Sequence, residues 1–336
     1  MFYRPPLNAP SHRSRRPDAV FAQSSIAWAI DSIANYFADG AREADQALRR
    51  AFRLAESNHA RLTLLDVIEP IDPPGDLAQR FSSDLATMLR KQRQEELEAL
   101  SEPLRGADCL IYTKVLTGTP FIEVIKAVRE SGYDLVIKSA RPPGSFSDRL
   151  LGSTDLHLLR KCPCPVWVDR PGGEAQYSKI LAAVDPMAPA QDNCARLVMD
   201  LATSLARRES ATLGVIHAWQ LYGESLLRDG RFPMASDELE RLLTATKLNH
   251  RARLAELLSG YGMTPYDAGV SLIKAEAATA IRKTAEEFQA DLIVMGTVGR
   301  SGIPGLFIGN TAESVLQTTQ SSILAVKPPA FVTPVR

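Results

Sequence analysis

The sequence lacks an excess of charge of either sign and lacks any long hydrophobic run. Its 336 residues include 39 Lys and Arg against 39 Asp and Glu, so the formal net charge is zero. Proteins that bind nucleic acid normally carry a basic surface, so we expect no nucleic-acid partner for this neutral chain. No apolar run approaches the roughly 20 residues that a membrane-spanning helix requires, so we expect no membrane partner either.

Cysteine is also scarce. Four cysteines are too few for a disulfide scaffold and suit a reducing compartment, so we expect a cytoplasmic protein. Two of them form Cys162-Pro163-Cys164, which invites a metal or redox interpretation. This C-x-C spacing differs from the C-x-x-C of zinc and thioredoxin-like sites, and the sequence has no second pair. We therefore interpret both as structural cysteines.

Motifs for catalysis are missing as well. The sequence has no G-x-x-x-x-G-K-[ST] phosphate loop with its lysine, no G-x-S-x-G elbow and no H-E-x-x-H pair. We therefore assign no catalytic residue and no metal ligand. Phosphoryl transfer needs positioned cations, so we expect at most a very slow ATPase.

What the sequence does contain is one glycine loop of the type that holds phosphates. Gly296-Thr297-Val298-Gly299 is followed after nine residues by Gly309-Asn310-Thr311. An apolar, strand-like run at 291–295 precedes the loop, and a helix-like stretch at 312–316 follows it. Bare backbone N–H groups at such a turn and helix N-terminus can hold an anion such as a nucleotide phosphate.

A degenerate copy of this loop lies 157 residues earlier in the chain, where residues 134–137 align with 291–294 and residues 152–154 align with 309–311. In this copy Ser139 replaces Gly296 and Pro142 replaces Gly299. Proline has no N–H to offer a phosphate. A repeat of this length indicates a duplicated domain, of which only the second half keeps the full loop.

The chain is therefore predicted to contain two domains after an extension. Residues 1–24 mix arginine with proline and lack an apolar segment long enough for a signal peptide, so we expect disorder there. The first domain is predicted at 25–170, with the degenerate loop, and the second at 178–330, with the intact one. A turn-rich linker at 170–174 joins them.

Both halves alternate short β-branched runs with longer helical patterns, which is typical of parallel βαβ units. Strands are predicted at 25–30, 62–68, 110–116, 135–138, 166–168, 179–184, 213–218, 270–273, 292–295 and 323–326. Helices are predicted near 44–55, 77–104, 121–128, 156–160, 194–207, 236–258, 277–289 and 311–318. We expect an α/β fold of two tandem open parallel five-stranded sheets with helices on both faces. Ligands of such sheets bind at the carboxyl ends of the strands.

Several of these segments resemble the universal stress protein family. The glycine loop is similar to that family's nucleotide loop. Residues 179–185 are similar to its first strand, which ends in an aspartate. Residues 152–154 and 160–168 are similar to the usual ending of its domain. The resemblance covers nearly all of 25–330 and looks most like the two-domain E-type members. It implies a strand order of 3-2-1-4-5 in each half. It also implies ATP or a related nucleotide over the loop, which here means the second domain alone.

Carried over residue by residue, the resemblance implies a nucleotide site. Ala183, Asp185 and Ala218 would frame the adenine and ribose, and Met295 and Gly296 would approach the ribose. The phosphates would meet the remaining site residues, Gly299, Gly309, Asn310 and Thr311. Whether a metal ion accompanies the nucleotide is unknown from the sequence.

This sequence departs from the family at two places. Asn310 stands where many members have Ser or Thr, although its amide can still donate to phosphate. Residues 274–277 lack the Gly-x-Pro turn that the first half keeps at 118–120.

Alternatives remain for single residues and for the function. Asp185 is equally well explained as the cap of a following helix, and His217 is better explained as a packed or hydrogen-bonded residue than as a catalyst. We expect a stress-response protein that acts by binding its nucleotide. A slow ATP hydrolase or phosphotransferase, and a carrier of another anionic small molecule, are the alternative functions.

The last strand of each half is apolar and would be an exposed edge unless it were paired. Single-domain members of the family commonly dimerise through this edge. We therefore expect strands 166–168 and 323–326 to pair, so that the two domains form an intramolecular pseudo-dimer. Protein partners are unknown from the sequence.

Overall fold

The computed structural model describes residues 24–30, 42–70, 76–105, 109–140, 153–170, 176–189, 193–228, 235–297 and 309–336. The predictions for residues 1–23, Pro142, Gly152 and Gly299 lie outside the described residues. Ser24, the last residue of the predicted extension, is buried, and its carbonyl accepts a hydrogen bond from the Arg61 amide. Within the described ranges, no helix is both long and apolar enough to cross a lipid bilayer.

The first half alternates strands with helices. Its strands are β1 (Ser25–Ile30), β2 (Arg61–Ile68), β3 (Leu110–Thr117), β4 (Leu135–Ser139) and β5 (Val166–Asp169). Its helices are α1 (Arg42–Ser57), α2 (Asp76–Ser101) with a 3-10 turn at Glu102–Leu104, α3 (Pro120–Ser131) and α4 (Ser153–Lys161). Helix α3 ends at Gly132, whose φ of 68° lies in the left-handed region that glycine adopts without strain.

The second half follows the same alternation. Its strands are β6 (Lys179–Ala183), β7 (Thr212–Trp219), β8 (Val270–Lys274), β9 (Leu292–Gly296) and β10 (Ser322–Val326). Its helices are α5 (Cys194–Glu209), α6 (Glu224–Arg228), α7 (Ser236–Ser259), α8 (Ala277–Phe288) and α9 (Asn310–Thr318). Helix α6 was not predicted, because it is too short for a helical period to show in the sequence. Glu224 at its start forms ion pairs with Arg228 and with Lys274 of β8.

The ten strands in the described part of the chain belong to one sheet, in the order β3-β2-β1-β4-β5-β10-β9-β6-β7-β8. Within each half the strands are parallel and run 3-2-1-4-5 in that half's own count. β5 and β10 pair in antiparallel register, with Trp167 opposite Leu324. The two predicted five-stranded sheets are thus joined into one, and the expected pairing of the two last strands is confirmed. The apolar edges pair with each other and thereby remove both from solvent.

Among the described residues, one large hydrophobic core covers each face of this sheet, and each of these cores runs through both halves. One core contains buried residues of α1, α2, α5 and α7, together with Leu324 and Val326 of β10. The other contains buried residues of α3, α4, α8 and α9, together with Ile323 and Ala325 of β10. Successive side chains of a strand point to opposite faces, so β10 contributes to both cores. Complete burial of each large aliphatic side chain contributes about 1.5–3 kcal/mol.

Candidate nucleotide-binding site

The carboxyl ends of β6, β7 and β9 lie side by side. Ala183 is in register with Ile216 of β7 on one side and with Met295 of β9 on the other. Gly296 ends β9, and Ala218 lies next to the last residue of β7. Ala183, Ala218 and Met295 border the same hydrophobic core, so they share one face of the sheet. The structure thus brings four of the predicted site residues to one edge.

The start and the end of the glycine loop are joined by backbone hydrogen bonds. The Thr297 amide donates to the Val326 carbonyl at 3.0 Å, and the Thr297 hydroxyl donates to the same oxygen at 3.3 Å. The Gly309 amide in turn donates to the Thr297 carbonyl at 2.8 Å. Thr297 is buried, so it anchors both ends of the loop to the end of β10. The loop's closure therefore depends on a residue to which the sequence analysis assigned no role.

The first turn of α9 faces this closure point. Gly309 is the residue before the helix and has no side chain with which to cap it, and Asn310 and Thr311 are the first two helical residues. The first amides of a helix have no partner inside the helix, and the helix dipole makes that end attractive to anions. The N-terminus of α8 is different, because the Glu276 carboxylate accepts hydrogen bonds from the amides of Ala278 and Thr279.

The capping of α8 also explains the departure from the family's Gly-x-Pro turn. In the first half, Gly118 has a φ of 146°, and an added Cβ would come within 2.7 Å of Glu123. Pro120 then begins α3. In the second half, Glu276 begins α8 by capping it with its side chain, so the turn is built without glycine or proline.

Gly296 packs closely against the start of α5. A Cβ at this residue would lie 2.8 Å from the sulfur of Cys194, the first residue of α5. Contacts shorter than about 3 Å do not occur between carbon and sulfur in close-packed interiors, so a side chain here would displace the thiol. The sequence analysis did not identify Cys194, because the contact joins residues about a hundred positions apart.

Asp185 lies two residues beyond the end of β6 and is half-buried. Its Oδ1 accepts a hydrogen bond of 3.1 Å from the Met187 amide, which is an Asx turn. Helix α5 begins only at Cys194, with Asn193 as the preceding residue. The alternative that Asp185 caps the following helix is therefore wrong. The turn places its carboxylate at the same sheet edge as Gly296.

His217 is part of a buried histidine pair behind this edge. Its Nδ1 lies 3.1 Å from the Val184 carbonyl oxygen, and its Nε2 lies 2.8 Å from Nδ1 of His250 in α7. A carbonyl can only accept, so His217 carries a proton on Nδ1, and in its neutral form its Nε2 accepts from His250. The interpretation of His217 as a hydrogen-bonded residue is confirmed. The pair fixes Val184, the residue before Asp185.

The first half contributes a charge near the N-terminus of α9. Glu313, in the first turn of α9, forms an ion pair with Arg160 of α4. A carboxylate in a first turn is favourable for the helix but repels an approaching phosphate. The guanidinium of Arg160 neutralises it, so the electrostatics of the site depend on both halves. Among the described residues, no cluster of three or more His, Cys, Asp or Glu side chains could hold a metal ion.

The corresponding place in the first half is occupied by an ion pair. Lys138 of β4 corresponds to Met295, and Asp155 of α4 corresponds to Ala312. The Lys138 ammonium lies 2.6 Å from the Asp155 carboxylate, and both side chains are buried. The ammonium also donates to the Ser139 carbonyl at 3.0 Å. A salt bridge therefore lies between the end of the strand and the first turn of the helix.

Known proteins resemble the chain in both sequence and fold. The family model described as the universal stress protein family matches residues 36–170 and 176–327. Universal stress protein E of Escherichia coli strain K12 is 30% identical over 273 residues, which cover 77% of this chain and 83% of that protein. A universal stress protein E homolog of Haemophilus influenzae is 25% identical and covers 85% of this chain and 94% of that protein.

Two solved structures share the fold over almost the whole length. A functionally unknown protein from Pseudomonas aeruginosa PAO1 superposes with a TM-score of 0.64 and 26% identity, covering 93% of this chain and 95% of that one. A universal stress protein from Archaeoglobus fulgidus has a TM-score of 0.56 and 18% identity, covering 91% and 98%. With two family matches in tandem and one ten-stranded sheet, the chain belongs to the universal stress protein family.

Proposed function

We propose that this chain is a cytoplasmic stress-response protein that binds ATP or a related nucleotide in its second domain and acts by binding. The observation that carries the proposal is the uncapped first turn of α9, which the hydrogen bonds of Thr297 hold next to the end of β9. Backbone amides at a helix N-terminus suit a phosphate. Ala183 ends β6 and Gly296 ends β9, and small residues at these strand ends suit close approach of the backbone to a ligand.

We further propose that the first domain, 25–170, is structural and that the second, 178–330, holds the single site. The buried pair of Lys138 and Asp155 supports this division, because it fills with side chains the place where the second half has Met295 and Ala312. A nucleotide there would have to break a buried ion pair, which costs several kcal/mol.

Two matched variants test the location of the site. Asn310→Asp places a carboxylate at the exposed first residue of α9, and Ser153→Asp places one at the exposed first residue of α4, its counterpart. An acidic residue at a helix N-terminus is favourable for folding, so both variants should fold. Asn310→Asp should weaken ATP binding about tenfold or more through charge repulsion, whereas Ser153→Asp should leave it unchanged. Calorimetry should give one site per chain.

Mass spectrometry of small molecules released from the denatured, purified protein identifies the ligand. Recovery of ATP or another adenine nucleotide supports the proposal. Recovery of a different anion would favour a carrier, and two equivalent calorimetric sites, or equal loss of binding in both variants, would contradict a site confined to the second domain. Sustained turnover near the usual range of about 1–10³ per second would favour a hydrolase instead.

A further inference from the structure

Two buried thiols and one buried lysine meet at the junction between the two halves. Cys162 and Cys164 precede β5, and their sulfur atoms lie 3.5 Å apart. Lys327 follows β10, which is the antiparallel partner of β5. Cys162 is completely buried, and Cys164 is 8% exposed. The sheet pairing therefore brings residues from both domains into one cluster, which we call the thiol–lysine cluster.

The Lys327 ammonium needs a negative partner. Its side chain is only 4% exposed, and within the described part of the chain its Nζ makes no hydrogen bond. The ring of Phe331, 5.2 Å from Nζ, offers a weak cation–π contact. A buried ammonium without a partner is costly, and the nearby groups able to become anions include the thiols of Cys162, Cys164 and Cys194. A purely structural role for the two cysteines leaves the lysine unexplained.

The surroundings divide the two thiols into a nucleophile and a donor. Burial alone would raise the pKa of Cys162, but the hydrogen bond from Cys164 and the charge of Lys327 lower it below the ordinary value. The hydrogen bond to Cys162 and burial raise the pKa of Cys164 well above that value. Burial lowers the pKa of Lys327, and the thiols oppose this shift. The cluster thus favours a Cys162 thiolate that accepts from the Cys164 thiol.

We propose that Cys162 and Cys164 form an oxidation site that hydrogen peroxide converts into an intrachain disulfide. The Cys162 thiolate attacks a peroxide oxygen, so an S–O bond forms, the O–O bond breaks, and the leaving hydroxide takes up a proton as water. The Cys164 sulfur then attacks the sulfur of the Cys162 sulfenic acid, so an S–S bond forms, the S–O bond breaks, and a second water leaves with the Cys164 proton. Two electrons pass from the thiol pair to the peroxide.

The geometry favours this pair and a small oxidant. The two sulfur atoms lie 3.5 Å apart and must approach to about 2.0 Å to form a bond. Rotation of the two cysteine side chains, on either side of one proline, can bring them that close. Because Cys162 is buried, hydrogen peroxide should react much faster than a bulky tertiary hydroperoxide. Oxidation consumes the thiolate, so the Lys327 ammonium loses the negative charge beside it.

Peptide mapping of the intact, reduced protein tests the proposal. The folded chain is treated with hydrogen peroxide, alkylated with N-ethylmaleimide and digested with trypsin, which releases 162–179 with both cysteines. We expect this peptide to lose two hydrogen atoms and to take up no label, and a thiol reductant should restore labelling. The peptides of Cys109 and Cys194 in the same digest serve as internal controls and should react more slowly.

Two variants test the assigned roles. Cys164→Ser should stop the reaction at the Cys162 sulfenic acid, which dimedone traps. Lys327→Met keeps the volume but removes the charge, and it should slow disulfide formation about tenfold, since the thiolate fraction falls tenfold for each unit by which the pKa of the thiol rises. Circular dichroism and a cooperative melt verify that each variant is folded. Full labelling of both thiols in the peroxide-treated wild type, or an unchanged rate in folded Lys327→Met, would overturn the proposal.

Discussion

The phenol hydroxyl of Tyr177 donates a hydrogen bond of 2.5 Å to Oδ1 of Asp169, at the junction of the two halves. The same carboxylate accepts from the Ser322 hydroxyl of β10 at 3.0 Å and from Nε of Arg50 in α1 at 3.2 Å. The Trp167 indole N–H donates to the Tyr177 oxygen at 3.1 Å. Asp169 is thereby a buried charge with partners from both domains, and satisfied networks of this kind specify a unique packing.

Tyr177→Phe should lower the free energy of unfolding by about 1–3 kcal/mol, because it removes a hydrogen bond to a buried carboxylate while keeping the ring. Urea denaturation with two spectroscopic probes measures this loss. Tyr222→Phe is the matched control, since Tyr222 is fully exposed and the same change there should have no measurable effect. Equal stability of the wild type and Tyr177→Phe would mean that the network adds nothing to the junction.

We expect the stabilisation by Tyr177 to be lost at alkaline pH. Burial, followed by the charge of Asp169, raises the pKa of Tyr177 well above its ordinary value near 10. The unfolded chain therefore loses this proton first, so the stabilisation is complete below a pH of about 10 and declines as the pH rises further. Above that pH, the stability advantage of the wild type over Tyr177→Phe should shrink by about 1.4 kcal/mol per pH unit. An advantage that stays constant up to pH 11 would contradict this.

Much of the fold could be predicted from the sequence, since strand and helix periods are local properties. β1 was predicted with both ends correct, and the other nine strands were predicted to within one residue at either end. The pairing that joins the two sheets could be predicted because strands 166–168 and 323–326 are apolar edges that need partners. Helix α6 was missed because its five residues, Glu224–Arg228, are too few for a helical period to show in the sequence.

The candidate site was predictable to a smaller extent. The loop motif identified Gly296, Gly309, Asn310 and Thr311, since close approach of backbone to a ligand requires small residues at fixed spacing. Thr297 was overlooked, although it carries the hydrogen bonds that close the loop. This role of Thr297 depends on β10 lying next to β9 in the sheet, and a sequence motif does not show which strands are neighbours.

Gly296→Ala should destabilise the protein by about 1–3 kcal/mol, because the new methyl would meet the Cys194 sulfur at 2.8 Å. In a Cys194→Ala background the sulfur is gone, and the same change should cost much less. Gly260→Ala is the control, because the nearest atom to its added carbon is the Leu257 carbonyl oxygen at 3.8 Å. The measurement is denaturation of nucleotide-free protein. Equal costs of Gly296→Ala in both backgrounds would show that Cys194 is not the cause.

Because Lys138 and Asp155 form a buried ion pair, we expect replacing both residues to destabilise the protein less than replacing Asp155 alone. Asp155→Ala leaves the Lys138 ammonium buried without its carboxylate, which should cost about 3–5 kcal/mol. Lys138→Met leaves Asp155 beside the charge of Arg170, so its cost should be smaller. The double variant installs Met and Ala, the residues of the second half, and leaves neither charge buried.

The double variant should therefore be more stable than Asp155→Ala, although it carries one more substitution. Its coupling energy, obtained by chemical denaturation of all four proteins, should be favourable by at least about 1 kcal/mol. Nucleotide binding provides a second measurement. Ser139 and Pro142 still replace two loop glycines, so calorimetry of the double variant should again give one ATP site per chain. Additive stability costs would contradict the ion pair, and a second calorimetric site would mean that the ion pair alone had kept nucleotide out of the first half.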